Sequence, residues 1–296
     1  MGAVSTGRFA TLAFDRQIAA PLATVWEVWT APAARCLWSA PSPEVTVEYL
    51  QAERGVGGRE ISLCKVAGEP DVKVEGIWLA LDEGKRTVNS EVVSCQGQTL
   101  SAALVTADFA EAEGDHTRIT VTVQLSSLAQ DMADGYRHGF GGGLANLADM
   151  AARSMLLKRH IKAPLDKVWG AWVNPETLPH WWGPDGFSCK TRRIDLRTGG
   201  EWVFDMIGPD GTVFPNHHLY DRIEPQSRID YRLLWGENGP KHADAWIAFT
   251  PTATGTEVTL GMAMATAKEW AEAKGFGAEA LGLQTLGKLA RFIGAD

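Results

Sequence analysis

Cysteine is scarce and scattered in this chain. Cys36, Cys64, Cys95 and Cys189 show no C-x-x-C spacing, which leaves neither a disulfide framework nor a zinc site of the usual ligand pattern. Buried or idle thiols in a reducing compartment remain. Long apolar runs are missing too. No stretch of about 18 apolar residues exists, and Met1 to Thr11 holds no apolar core of a signal peptide. A cytoplasmic protein without membrane insertion is expected. A basic excess is also lacking. The formal net charge is -8, of which residues 1–154 carry 12 - 19 = -7 and the remainder -1. Nucleic-acid partners and anionic membranes are therefore disfavoured. Phosphate-loop, dinucleotide and G-x-S-x-G fingerprints are absent. The stretch from Gly139 to Gly143 lacks the Lys and Ser/Thr that a phosphate loop needs.

What is present in excess is tryptophan. The chain has 12, four before residue 154 and eight after it. Indoles accumulate where they pack or bind. Three of them also mark an internal repeat. Between Ile18–Pro41 and Ile161–Pro184, at an offset of 143, ten of 24 positions are identical, including Trp26/Trp169, Trp29/Trp172 and Trp38/Trp181. Average residue usage would give roughly one or two. A one-residue deletion then aligns Gly57-Gly58 with Gly199-Gly200, and Leu144 and Leu147 with Leu286 and Leu289. The expectation is a duplicated domain, residues 1–154 and 155–296.

Each half reads alike. A strand opens it (Phe9–Ile18; Ser154–Ile161). A short helix follows a proline, with Leu165, Val168, Trp169 and Trp172 on one face in the second half. A meander of strands comes next. Trp202, Phe204 and Met206 alternate with Glu201, Val203 and Asp205, as do Tyr231, Leu233 and Trp235 with their neighbours, so one face of each strand is covered. A helix closes each half, in the second from about Ala278 to Ile293 behind a Thr266/Glu269 capping box. The class is α+β.

This order resembles the helix-grip (START/SRPBCC, Bet-v-like) fold, an antiparallel curved sheet wrapped around a long C-terminal helix. The second half is similar to the activator-of-Hsp-ATPase (AHSA-like) family. That resemblance is carried by Ala163-Pro164, Val168-Trp169, Trp172, Trp181-Trp182-Gly183-Pro184 and Arg197-Thr198-Gly199-Gly200-Glu201-Trp202. The first half departs from it, with Ser39-Ala40 in place of Trp182-Gly183 and Arg59-Glu60 in place of Glu201-Trp202.

The resemblance implies a cavity between sheet and final helix. Its candidate lining in the second half is Trp182, Trp202, Phe204, His218, Tyr220 and Tyr231, with Leu233, Trp246 and Leu286. His217 and His218 are strand neighbours and point to opposite faces, which argues against a metal site, and no cofactor is expected. The leading expectation is non-catalytic binding of a small, largely apolar molecule, chiefly by the second half. The alternatives are a cyclase- or lyase-like enzyme using His218, Tyr220 or Tyr231, and a co-chaperone or stress-response protein acting on a chaperone partner through its surface.

Overall fold

The computed structural model describes residues 8–295, and the chain parts into two compact units between Ala152 and Arg153. The first unit runs β1 (Arg8–Ile18), α1 (Leu22–Thr30), α2 (Pro32–Trp38), β2 (Val45–Ala52), β3 (Arg59–Val66), β4 (Val72–Asp82), β5 (Arg86–Cys95), β6 (Gln98–Ala112), β7 (His116–Ser127) and α3 (Met132–Ala152). The second repeats the order: β8 (Ser154–Ile161), α4 (Leu165–Val173), α5 (Leu178–Trp181), β9 (Ser188–Ile194), β10 (Glu201–Ile207), β11 (Val213–Glu224), β12 (Arg228–Trp235), β13 (Lys241–Thr252) and β14 (Gly255–Met264). It then closes with α6 (Ala267–Gly275) and α7 (Ala278–Phe292).

Each unit holds one seven-stranded antiparallel sheet, in the orders β1-β7-β6-β5-β4-β3-β2 and β8-β14-β13-β12-β11-β10-β9. Alternation makes the covered face. Along β7 the buried residues are Thr117, Ile119, Val121, Val123, Leu125 and Ser127, every second residue of the pleat. Both sheets slip register at the same point, after Trp78 in β4 and after Tyr220 in β11, and such bulges bend a strand. Among the described residues, no helix is long and apolar enough to cross a membrane.

The duplication is visible bond by bond. The Trp38 indole donates to the Val28 carbonyl at 2.7 Å and the Trp181 indole to Ala171 at 3.1 Å. Thr117 donates to the Ala20 carbonyl as Thr256 does to Ala163. Trp26 and Trp169 meet Phe109 and Phe249 edge-on, each at 5.2 Å. Trp169 is nonetheless half-buried, whereas Trp26 and Trp172 are buried.

The glycines 141–143 lie inside α3. One local expectation changes. Thr266 caps α6 by accepting from the Glu269 backbone N–H at 3.1 Å, but its hydroxyl donates to the Glu269 carboxylate, so the box is closed side chain to side chain.

Candidate functional site

In the first unit, α2 lies over the open end of the sheet and projects Arg35 inward. The guanidinium makes a fork with Glu60 on β3, Nε to Oε1 at 2.9 Å and Nη2 to Oε2 at 2.9 Å. A third nitrogen donates to the Trp29 carbonyl at 3.2 Å. The indoles of Trp29, Trp38 and Trp78 surround it, 5.1–5.7 Å from ring centroid to guanidinium carbon, within range of cation–π attraction.

Above this pair the sheet and α3 enclose a cavity of about 360 Å³, at the lower end of the ~300–1,000 Å³ typical of small-molecule sites. Its wall is mostly apolar, with Val47, Val74, Val93 and Val105 from the sheet and Met132 and Phe140 from the helix. A polar group stands at its floor: Arg35, Tyr49, Ser62, Asn89, Glu91 and Tyr136. Desolvation by these walls pushes the Glu91 carboxyl above its ordinary range. The Arg35 charge opposes that shift, and Glu60 adds to it. Desolvation likewise pushes the Tyr49 phenol up to about 12. The Tyr136 hydroxyl is buried without a well-formed hydrogen bond.

The space exists because side chains are missing from the helix. Gly135, Gly139 and Gly143 recur every four residues on the face of α3 that lines the cavity. A Cβ built at Gly135 or Gly139 would meet nothing within 4 Å. Gly142 has a different role, since a Cβ there would fall 2.1 Å from the Pro41 carbonyl oxygen, so it lets the helix touch the loop after α2.

The second unit fills the same place. Trp78 pairs with Asn89 across β4 and β5 as Tyr220 pairs with Tyr231 across β11 and β12. Through the repeat, Leu178 stands for Arg35, Trp182 for Ser39, Trp202 for Glu60, Phe204 for Ser62, Tyr231 for Asn89 and Leu233 for Glu91. Trp202 stacks on Phe204 at 3.8 Å and donates its N–H to Thr191 at 3.1 Å. His218 is ringed by Trp182, Trp202, Phe204, Tyr220 and Tyr231 at 4.8–6.4 Å. The space left among them is about 10 Å³, the size of one water at most.

Of the expected site, Trp182, Trp202, His218, Tyr220 and Tyr231 do converge, and the gap they line is about 10 Å³. Phe204, Leu233 and Leu286 are core residues away from the residual gap. Trp246 lies on the other face of β13 from Ala245 and Ile247, flat against Gly261, where a Cβ would sit 2.1 Å from the indole. His217 is buried on the other face of β11, bonded to Glu201 at 2.8 Å and accepting from the Asn238 backbone N–H at 3.2 Å. Among the described residues, no group of three or more His, Cys, Asp or Glu side chains is placed to hold a metal ion.

His218 gives the second unit an acid sensitivity. Desolvation, helped by His217, lowers its pKa from 6.5 to about 3. Below 6.5 the unfolded chain takes up a proton that the folded one refuses, so stability falls as pH falls, by about 1.4 kcal/mol per pH unit. Between pH 6.5 and about 5 the second unit should lose about 2 kcal/mol, and His218→Phe should remove that loss. Urea titrations at both pH values check this. Equal slopes for the two proteins would show that His218 does not titrate this way.

The family model described as "Activator of Hsp90 ATPase homolog 1-like protein" matches residues 19–152 and again 162–293. No curated protein matches the chain. Among solved structures, protein NE0264 from Nitrosomonas europaea is similar at 27% identity and a TM-score of 0.45, covering 48% of this chain and 95% of its own. Protein Mll3558 from Rhizobium loti is similar at 26% and 0.44, covering 48% and 97%.

Proposed function

The chain belongs to the family of activator of Hsp90 ATPase homolog 1-like proteins, twice over, and from that premise we propose that its first unit binds a small, largely apolar molecule without transforming it. The observation that carries this reading is the contrast in free volume, about 360 Å³ in the first unit against about 10 Å³ at the same place in the second. A mostly apolar wall with a few convergent polar groups is the usual make-up of such sites. The second unit then serves as a solid companion fold. A cyclase- or lyase-like reaction at His218 and Tyr231 has no room for a substrate. The four free thiols suit a reducing compartment such as the cytoplasm.

The test is to fill the cavity from the helix. In the full chain, Gly139→Leu should weaken binding of an uncharged apolar fluorophore at least about tenfold, or ~1.4 kcal/mol. The same change should raise stability by about 1 kcal/mol, because Leu replaces Gly inside a helix. Loss of binding with a raised melting temperature separates occlusion from unfolding. Unchanged fluorophore affinity in Gly139→Leu would refute the assignment, as would binding abolished by Trp182→Ala instead.

A further inference from the structure

Beyond the wall of the cavity, its charges do not balance. Arg35 is the one cation at the floor, and it is held by Glu60 on two sides and by the Trp29 carbonyl on a third. Glu91 is a second carboxyl in the same chamber. Among the described residues its side chain forms no ion pair; the Asn89 amide donates to it at 3.4 Å, and the Tyr136 hydroxyl faces it as a second neutral donor. Gly76, its cross-strand partner on β4, has no side chain to occupy the space beside it. The groups facing Glu91 from the surrounding elements are Arg35 on α2, Glu60 and Cys64 on β3, and Tyr136 on α3. None supplies a free positive charge. At the rim stand Glu69 and His138.

A carboxylate ligand would have to take Arg35 from Glu60 and sit near Glu91. A ligand with a positive head meets the opposite situation, a carboxylate in the cavity wall whose neighbouring cation, Arg35, is already paired with Glu60. We propose that the first unit's cavity takes amphiphiles with a protonated amine head, the ammonium seated on Glu91 and the apolar tail along the valine wall. This rests on the cavity being a binding site at all. Charge-assisted hydrogen bonds are about twice as strong as neutral ones, and a carboxylate desolvated by its surroundings has most to gain from a partner.

Three probes of equal tail length, octylamine, octanol and octanoate, decide it by calorimetry on the full chain at pH 7. Octylamine should bind about tenfold or more tighter than octanol, with octanoate weakest. Glu91→Gln keeps the shape and should collapse the amine's advantage over octanol to within about twofold. Equal affinity for octylamine and octanol would overturn the amine assignment and leave the cavity a binding site. Octanoate binding tightest would overturn it in favour of Arg35. If none of the three binds and the fluorophore does not either, the binding reading itself falls.

Discussion

Replacing Arg35 by Leu should destabilise the first unit by about 3–5 kcal/mol, and adding Glu60→Leu should restore most of that loss. Arg35 is 7% exposed and Glu60 9%, so the pair is desolvated. Burial works against the guanidinium charge, and Glu60 with Tyr49 and Glu91 more than offsets it. Removing Arg35 alone leaves Glu60 buried without a counter-charge, and the three indoles around it lose a packing partner. Removing both leaves two apolar side chains in an apolar setting, which elsewhere has been neutral or better. The second unit supplies the precedent within this chain, since it holds Leu178 and Trp202 at the matching positions. Urea unfolding of the full chain, followed by fluorescence, measures both variants. A single variant that loses under about 1 kcal/mol would mean the pair is solvated, and the floor of the cavity would have to be redrawn.

Trp202→Ala should cost the second unit about 3–5 kcal/mol, the range for a fully buried indole. Trp202 is 0% exposed, and it stacks on Phe204 and meets His218 edge-on. Its loss leaves Thr191 without its indole donor and opens a void next to the residual gap. The same variant should then gain a second site for an apolar fluorophore, since a void lined by Trp182, Phe204 and Tyr231 is dry and accessible to an apolar guest. Melting curves and fluorophore stoichiometry read the two effects. Unaltered stability would show that the indole is dispensable to the packing, and stoichiometry held at one would show that the surroundings collapse into the void.

The fold was legible because its signals repeat. Trp29 and Trp172, Gly57 and Gly199, Leu147 and Leu289 recur at fixed offsets, and each recurs because the same local packing must be made twice. The site was harder to read for the same reason. A comparison that seeks identities passes over Arg35 against Leu178 and Glu60 against Trp202, where the two copies differ most. Aromatic richness pointed to Trp182, Trp202 and Tyr231, yet an indole on a covered face consumes volume as readily as it borders it. Which of the two happens depends on what faces it, and in α3 three of the facing residues are glycines. The available clue was polar: Arg35, Glu60, Asn89 and Glu91 fall on positions where the second copy is apolar or aromatic. A buried polar residue is more informative than another buried aromatic. Trp246 was misplaced because it joins a run, Ala245-Trp246-Ile247, that is buried on both faces, and alternation cannot say which face a residue takes when both are covered.

The glycine stripe of α3 has one more consequence. Gly135 is exposed, Gly139 half-buried and Gly143 buried, so the three sit at increasing depth, each roughly 6 Å further along the helix axis. They act as the graduations of a gauge. On the proposed reading, a side chain placed at one of them would set how far a ligand's tail reaches while the sheet and the ion pair stay as they are, and single substitutions on one helix would change the length of molecule accepted without touching the chemistry at Glu91.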